Sequence, residues 1–175
     1  MKEKIQNSQM LLVAGLIVAA VVTRFIPHPP NFTPIAAMAL LGGAYYSDKR
    51  LAFLVPMVAM LISDLVLGLH QGMLYVYASF AAMVGIGMLL KNRVGVTSVA
   101  VASLTSSVLF FVVTNFGMWL SYPLYTKDLA GLTQAYVAAI PFFQNTILGD
   151  LMYSGVMFGA YELAKSKLFA TKAIA

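Results

Sequence analysis

Residues 10–22, MLLVAGLIVAAVV, and residues 51–62, LAFLVPMVAMLI, are continuous apolar runs without a charged or amide side chain. Nothing constrains this chain more. In hydrocarbon every backbone N–H and C=O must be paired within the protein, so the choice is between helices and a closed barrel. A barrel strand alternates apolar and polar residues over segments of about 10, and these runs do not alternate. The expectation is an all-α membrane protein. Composition agrees: 61% of residues are hydrophobic and 10% charged, and a mean hydropathy of +0.85 lies outside the range of water-soluble domains.

A helical crossing takes about 20 mostly apolar residues. Six stretches qualify, at approximately 9–26, 33–46, 51–69, 72–90, 96–122 and 141–163, which predicts a six-transmembrane-helix bundle forming a single domain over residues 1–175. The second is short and ends near Gly42 and Gly43. The longest connection, PLYTKDLAGLTQAYVAAI at 123–140, is expected outside, with a short extra helix and the character of a lid.

Orientation follows from lysine and arginine near the span ends. Six crossings put Lys2, Lys4, Lys49, Arg50, Lys91, Arg93, Lys165, Lys167 and Lys172 on one side and Arg24 and Lys127 on the other, so both termini are expected to be cytoplasmic. The net charge of +5 is then an insertion signal and a contact for anionic lipid, not a nucleic-acid footprint. The first apolar run is too long for a signal-peptide core and has no A-x-A site before Arg24, so it reads as a retained span. The absence of cysteine excludes disulfides, thiolate metal sites and cysteine catalysis.

Charged groups cost at least about 2.5–3.5 kcal/mol each at the centre of a bilayer helix and normally face the bundle interior. Asp64 lies near the outer end of the third span, with Gly68 and Gln71 at i+4 and i+7. Asp150 lies about nine residues into the sixth, sharing a face with Thr146, Tyr153 and Ser154. On the fifth, Asn115, Trp119 and Tyr122 form another stripe; His70, Tyr75 and Tyr77 flank the start of the fourth, and Gln144 and Asn145 the start of the sixth. Arg24, His28 and Asn31 belong to TRFIPHPPNFTPI at 23–35, where four prolines fix the backbone. All of these fall in the outer halves of their helices, whereas the inner half offers little beyond Glu162, which is close enough to the cytoplasmic end to snorkel or to pair with Lys165 at i+3.

One-sided gathering of this kind predicts a pocket open to the outside. Its candidate substrate-binding residues are Arg24, His28, Asn31, Asp64, His70, Gln71, Tyr75, Asn115, Trp119, Asn145, Asp150 and Tyr153. Plainer roles compete: aromatic-belt anchors for Tyr122, Tyr125 and Trp119, an Arg24–Asp64 bridge, and interhelical amide bonds for Asn115 and Asn145. Two histidines without a matching carboxylate spacing do not make a metal site, and no cofactor or metal is expected. The NFT triplet at Asn31 is discounted as a glycosylation site because Pro34 follows. Asn31-Phe32 before Asp64-Leu65 parallels Asn115-Phe116 before Asp150-Leu151, but the intervening stretches differ in character, which argues against a repeat.

The segments RFIPHPPNFTPIAAMALLGGAYYSDK, SDLVLGLH, TNFGMWL and AIPFFQNTILGDLMYSG resemble a bacterial membrane family grouped with the substrate-binding S-components of energy-coupling factor (ECF) transporters. The likeness runs over nearly the whole chain. It implies a multi-pass protein of the bacterial cytoplasmic membrane with six helices and cytoplasmic termini. It also implies an outward pocket for a vitamin-like micronutrient, and docking onto a coupling membrane protein driven by two ATPases, with no enzymatic activity of its own. In those transporters the docking face is a small-residue motif on the first helix, and here Gly15 and Ala19 are the nearest equivalent. Small residues also recur four apart at Ala39/Gly43, Ala81/Gly85 and Gly155/Gly159. The pocket inventory favours a neutral or cationic heterocycle over a multi-anion, with a corrinoid as a weaker variant.

Two other classes compete. An ion-coupled secondary transporter would use Asp64 or Asp150 as its coupling site but needs polar groups in the inner half to complete a path. An enzyme needs an activated nucleophile or a metal cluster, and neither G-x-S-x-G nor H-E-x-x-H occurs.

Overall fold

A computed structural model describes the backbone of residues 2–169 and the side chains of 6–167. Lys172, assigned above to the inner side, lies outside the described residues, as do the side chains of Lys2 and Lys4. The described residues are all helix and loop: α1 (Lys2–Thr23), α2 (Ile35–Tyr45), α3 (Lys49–Leu67), α4 (Met73–Leu89), α5 (Val96–Ser121) and α6 (Leu129–Phe169). Gln6–Thr23, Lys49–Leu67 and Val96–Ser121 are long and apolar enough to cross a membrane, and α2 and α4 are shorter apolar helices. Large apolar side chains are exposed along the outside, among them Leu11, Val66, Leu74, Leu89 and Val96. These are the marks of a multi-pass membrane protein.

The shortest helix is at the centre. Ile35 through Ala44 of α2 are all buried, and each of the other five helices packs against it. A helix apolar on every face is stable only when enclosed, and IAAMALLGGAY has no polar stripe to show to water. At 11 residues it spans about 16 Å, roughly half of a hydrocarbon core. The expected second crossing is therefore a buried half-length helix.

Small residues let α2 be enclosed so closely. A Cβ on Gly43 would run into the Val84 carbonyl and the backbone of Gly87 and Met88, and one on Gly87 would run into the backbone of Leu40. The Ala39/Gly43 pair is thus spent inside the molecule, on α4. Pro56, within α3, packs on Gly42 from the other side.

The sixth span also differs from expectation. A separate short helix in 123–140 and a new start at Pro141 were expected, because an internal proline removes a hydrogen bond and crowds the preceding turn. Instead α6 runs through Pro141 for 41 residues, about 62 Å at 1.5 Å per residue. Val137 and Pro141 share an exposed face, so the carbonyl that loses its partner does so at the surface rather than in the core.

The loop before α6 is tied down. Trp119 Nε1 donates to the Thr126 carbonyl at 2.8 Å. Lys127 donates to the carbonyls of Trp119 and Tyr122, closing the C-terminus of α5 with a cation where the helix dipole favours one. Asp128 then caps α6: its Oδ1 accepts from Gly131 N at 2.7 Å and from Thr126 Oγ1 at 2.8 Å. The Gly131 N–H first, and then the Thr126 hydroxyl, hold the Asp128 carboxyl below the usual carboxylate range.

Candidate functional site

Between α1 and α2 the chain descends as IPHPPNFTP. Phe32 N donates to the Pro29 carbonyl at 3.0 Å across Pro30 and Asn31, and Asn31 has a φ of 64°. Proline second and a left-handed asparagine third is the residue pattern of a type II turn. Asn145 Nδ2 donates to the Pro30 carbonyl at 3.0 Å. Gly149 lies where a Cβ would meet Phe32 Cα at 3.1 Å and Thr33 N at 3.2 Å. Phe32 in turn packs on the Tyr153 ring, with centroids 5.8 Å apart. Non-helical backbone is thereby pressed onto α6.

This stretch forms one wall of a cavity of about 450 Å³, within the range of small-molecule sites. Pro30 and Asn31 face His70 and Gly72 from the α3–α4 turn, Phe110, Thr114, Asn115 and Met118 from α5, and Tyr122 and Tyr125 from the loop beyond it. Ala135, Ala138, Ala139 and Phe142 close it from the first turns of α6. Among the described residues no lysine, arginine, aspartate or glutamate lines it. Asn115 donates one amide N–H to the Phe111 carbonyl at 2.7 Å, and Thr114 donates to the Phe110 carbonyl at 2.7 Å, which leaves the Asn115 carbonyl oxygen and second N–H and the Thr114 lone pairs uncommitted.

A family model described as a family of unknown function (DUF6580) matches residues 4–173, nearly the whole chain. The chain belongs to the DUF6580 family. No curated protein and no solved structure matches it.

Of the twelve candidate residues in this DUF6580 protein, Asn31, His70 and Asn115 line the cavity. The other nine lie elsewhere. Arg24 and Asp64 form an ion pair at 2.7 Å, with side chains 11% and 3% exposed. Arg24 also donates to Ser63, and the Tyr77 hydroxyl donates to Asp64 Oδ2 at 2.8 Å. The cluster clamps the end of α1 to α3 and α4. Tyr75 is seated over Gly117 with its hydroxyl 3.0 Å from Ser121, joining α4 to α5. Trp119 holds the loop before α6, while Asn145 and Tyr153 hold the wall from behind. Gln71 is exposed in the α3–α4 turn, and His28 is exposed with Nδ1 2.9 Å from the Pro29 carbonyl. Asp150 is buried two turns along α6 from Phe142 and bonds to Ser107 at 2.6 Å. Among the described residues no three His, Cys, Asp or Glu side chains converge as metal ligands would.

The lining residues of the DUF6580 cavity missed from the sequence are mostly apolar: Phe110, Met118, Phe142 and the three alanines. Ala135, Ala138 and Ala139 fall at i, i+3 and i+4, the spacing of one helix face. A face of small residues that makes room was the available signal, and treating 123–140 as a lid hid it.

Proposed function

We propose that the chain is an S-component-like membrane subunit of the energy-coupling factor type, binding a small, neutral, water-soluble nutrient in the cavity behind Asn31. It has six crossings with both termini cytoplasmic and sits in the bacterial inner membrane. It carries out no reaction itself. The observation that carries this is the lining: aromatic and aliphatic walls with a few amide, hydroxyl and imidazole groups, and no formal charge. Such walls stack a flat heterocycle and orient it with few hydrogen bonds. A cationic ligand is disfavoured, since Asp64 is spent on Arg24 and Asp150 lies outside the lining. A corrinoid is too large for the space.

The partner face is α1. Gly15 and Ala19 are exposed, and a Cβ on Gly15 would meet nothing, unlike the Ala39/Gly43 pair consumed within the bundle. An unfilled small-residue face accepts a partner helix, here one from the coupling protein that two ATPases drive. The ion-coupled carrier retains Asp150 alone, its other coupling residue being neutralised by Arg24.

Native mass spectrometry of the gently purified full chain tests the cavity, supplemented by thermal stabilisation with a panel of vitamins. A bound neutral heterocycle is expected, with affinity reduced about tenfold or more in Asn115→Ala, the loss of one or two buried hydrogen bonds. Asn31→Gly keeps the left-handed turn while removing the side chain, so weak binding there isolates the amide from the backbone. Wild-type binding in both variants, or an empty protein that no panel member stabilises, removes the cavity as a nutrient site. Ion flux through the chain alone in liposomes would favour the carrier.

A further inference from the structure

Ser103 and, one turn on, the adjacent Ser106 and Ser107 are buried on α5, each 0% exposed. Facing inward on α6 are Thr146, Asp150 and Ser154, spaced four apart and 5%, 3% and 1% exposed. The Ser107 hydroxyl donates to Asp150 Oδ2 at 2.6 Å. It also lies 3.1 Å from the Ser103 carbonyl, so its one proton has two acceptors within reach, the carboxylate being the nearer.

Helical hydroxyls ordinarily return their proton to the carbonyl four residues back. Ser79, Thr105, Thr114 and Thr146 do so, at 2.7 to 3.1 Å. The Oγ atoms of Ser103, Ser106 and Ser154 do not: all three are buried and have no hydrogen-bond partner.

Two deficits therefore meet where α5 packs on α6. The first is a buried carboxylate with no cation placed on it among the described residues; Arg24 is spent on Asp64 and Lys165 on Glu162. The enclosed helix α2, which packs on both α5 and α6, is apolar and offers no charge. The second deficit is the buried hydroxyls of Ser103 and Ser154, with unused lone pairs. A buried charge and unpaired buried polar atoms are each costly, and a small hard cation, which takes oxygen ligands, resolves both at once. One carboxylate balances one unit of charge, whereas hard divalent ions draw on further carboxylates or phosphates.

We propose that Asp150, with the hydroxyls of Ser103 and Ser154 one turn along the same seam, holds a dehydrated sodium ion where α5 packs on α6, while the Ser107 hydroxyl fixes the carboxylate. Ser154 also borders a groove of about 440 Å³ lined mainly by residues of α5 and α6. None of these side chains lines the ligand cavity, so the ion site stands independently of the nutrient proposal.

The test is thermal unfolding of the full chain in detergent, with sodium, potassium or choline chloride at one ionic strength and pH and no nutrient present. Sodium at tenfold its Kd should raise Tm by about 3–6 °C over choline, with a smaller rise in potassium. Asp150→Asn, nearly isosteric and uncharged, should abolish the rise. Ser103→Ala and Ser154→Ala should move the sodium midpoint up by roughly threefold to tenfold. Melting indifferent to sodium overturns the proposal, as does a sodium response that survives Asp150→Asn. Sodium-independent stability that increases as pH falls also overturns it, naming a proton as the occupant. The wild-type salt comparison decides the matter even if a variant fails to fold.

Discussion

Arg24 and Asp64 show what a single residue can and cannot disclose. Each stands out in an apolar chain as a charge near a span end, but only folding brings residues 40 positions apart together, at 2.7 Å and away from solvent. Burying two charges gains little beyond what a well-packed apolar pair would give, whereas orphaning one is severe. Arg24→Ala should therefore destabilise the protein by about 3–5 kcal/mol, read by denaturant unfolding in mixed micelles, and Arg24→Met with Asp64→Leu should recover much of that. A neutral Arg24→Ala would mean that Asp64 is solvated after all. The same limit explains the site. Polar residues were visible one by one, yet most are committed to holding helices and loops together: Tyr75 to Ser121, Trp119 to Thr126, Asn145 to Pro30. The cavity is walled mainly by residues that carry no chemical signal.

At the scale of elements, glycine decides which helices touch. Gly43→Leu should cost about 1–3 kcal/mol or more, because its Cβ would enter the backbone of α4. The same change at Gly155, where a Cβ meets nothing, should stay within about 0.5 kcal/mol. Equal losses at both sites, measured by thermal unfolding, would contradict the packing described. Most helix positions were legible from hydrophobicity alone: the expected stretches 51–69, 72–90 and 96–122 became Lys49–Leu67, Met73–Leu89 and Val96–Ser121. Two features were not. The apolar pattern of 33–46 cannot say whether lipid or protein surrounds it, and protein does. Pro141 has the local signature of a helix boundary, but the first turns of α6, anchored by the Asp128 cap, and the packing of α6 on α5 carry the helix across it.

For the molecule as a whole, the orientation proposed here rests on charge, and the absence of cysteine makes it directly testable. Leu124→Cys, in the exposed turn between α5 and α6, should react with a membrane-impermeant maleimide in intact cells. Lys91→Cys, between α4 and α5, should react only after permeabilisation, and the opposite pattern would invert the topology. The buried centre sets a further condition, on biosynthesis. In synthesis α2 leaves the ribosome before α3 to α6, yet an 11-residue helix is too short to be held across lipid by itself. Its surroundings include α6, which begins only at Leu129. Until α6 has been made, α2 has no completed environment, so a chain stopped before α6 should be a substrate for membrane proteases rather than a stable intermediate.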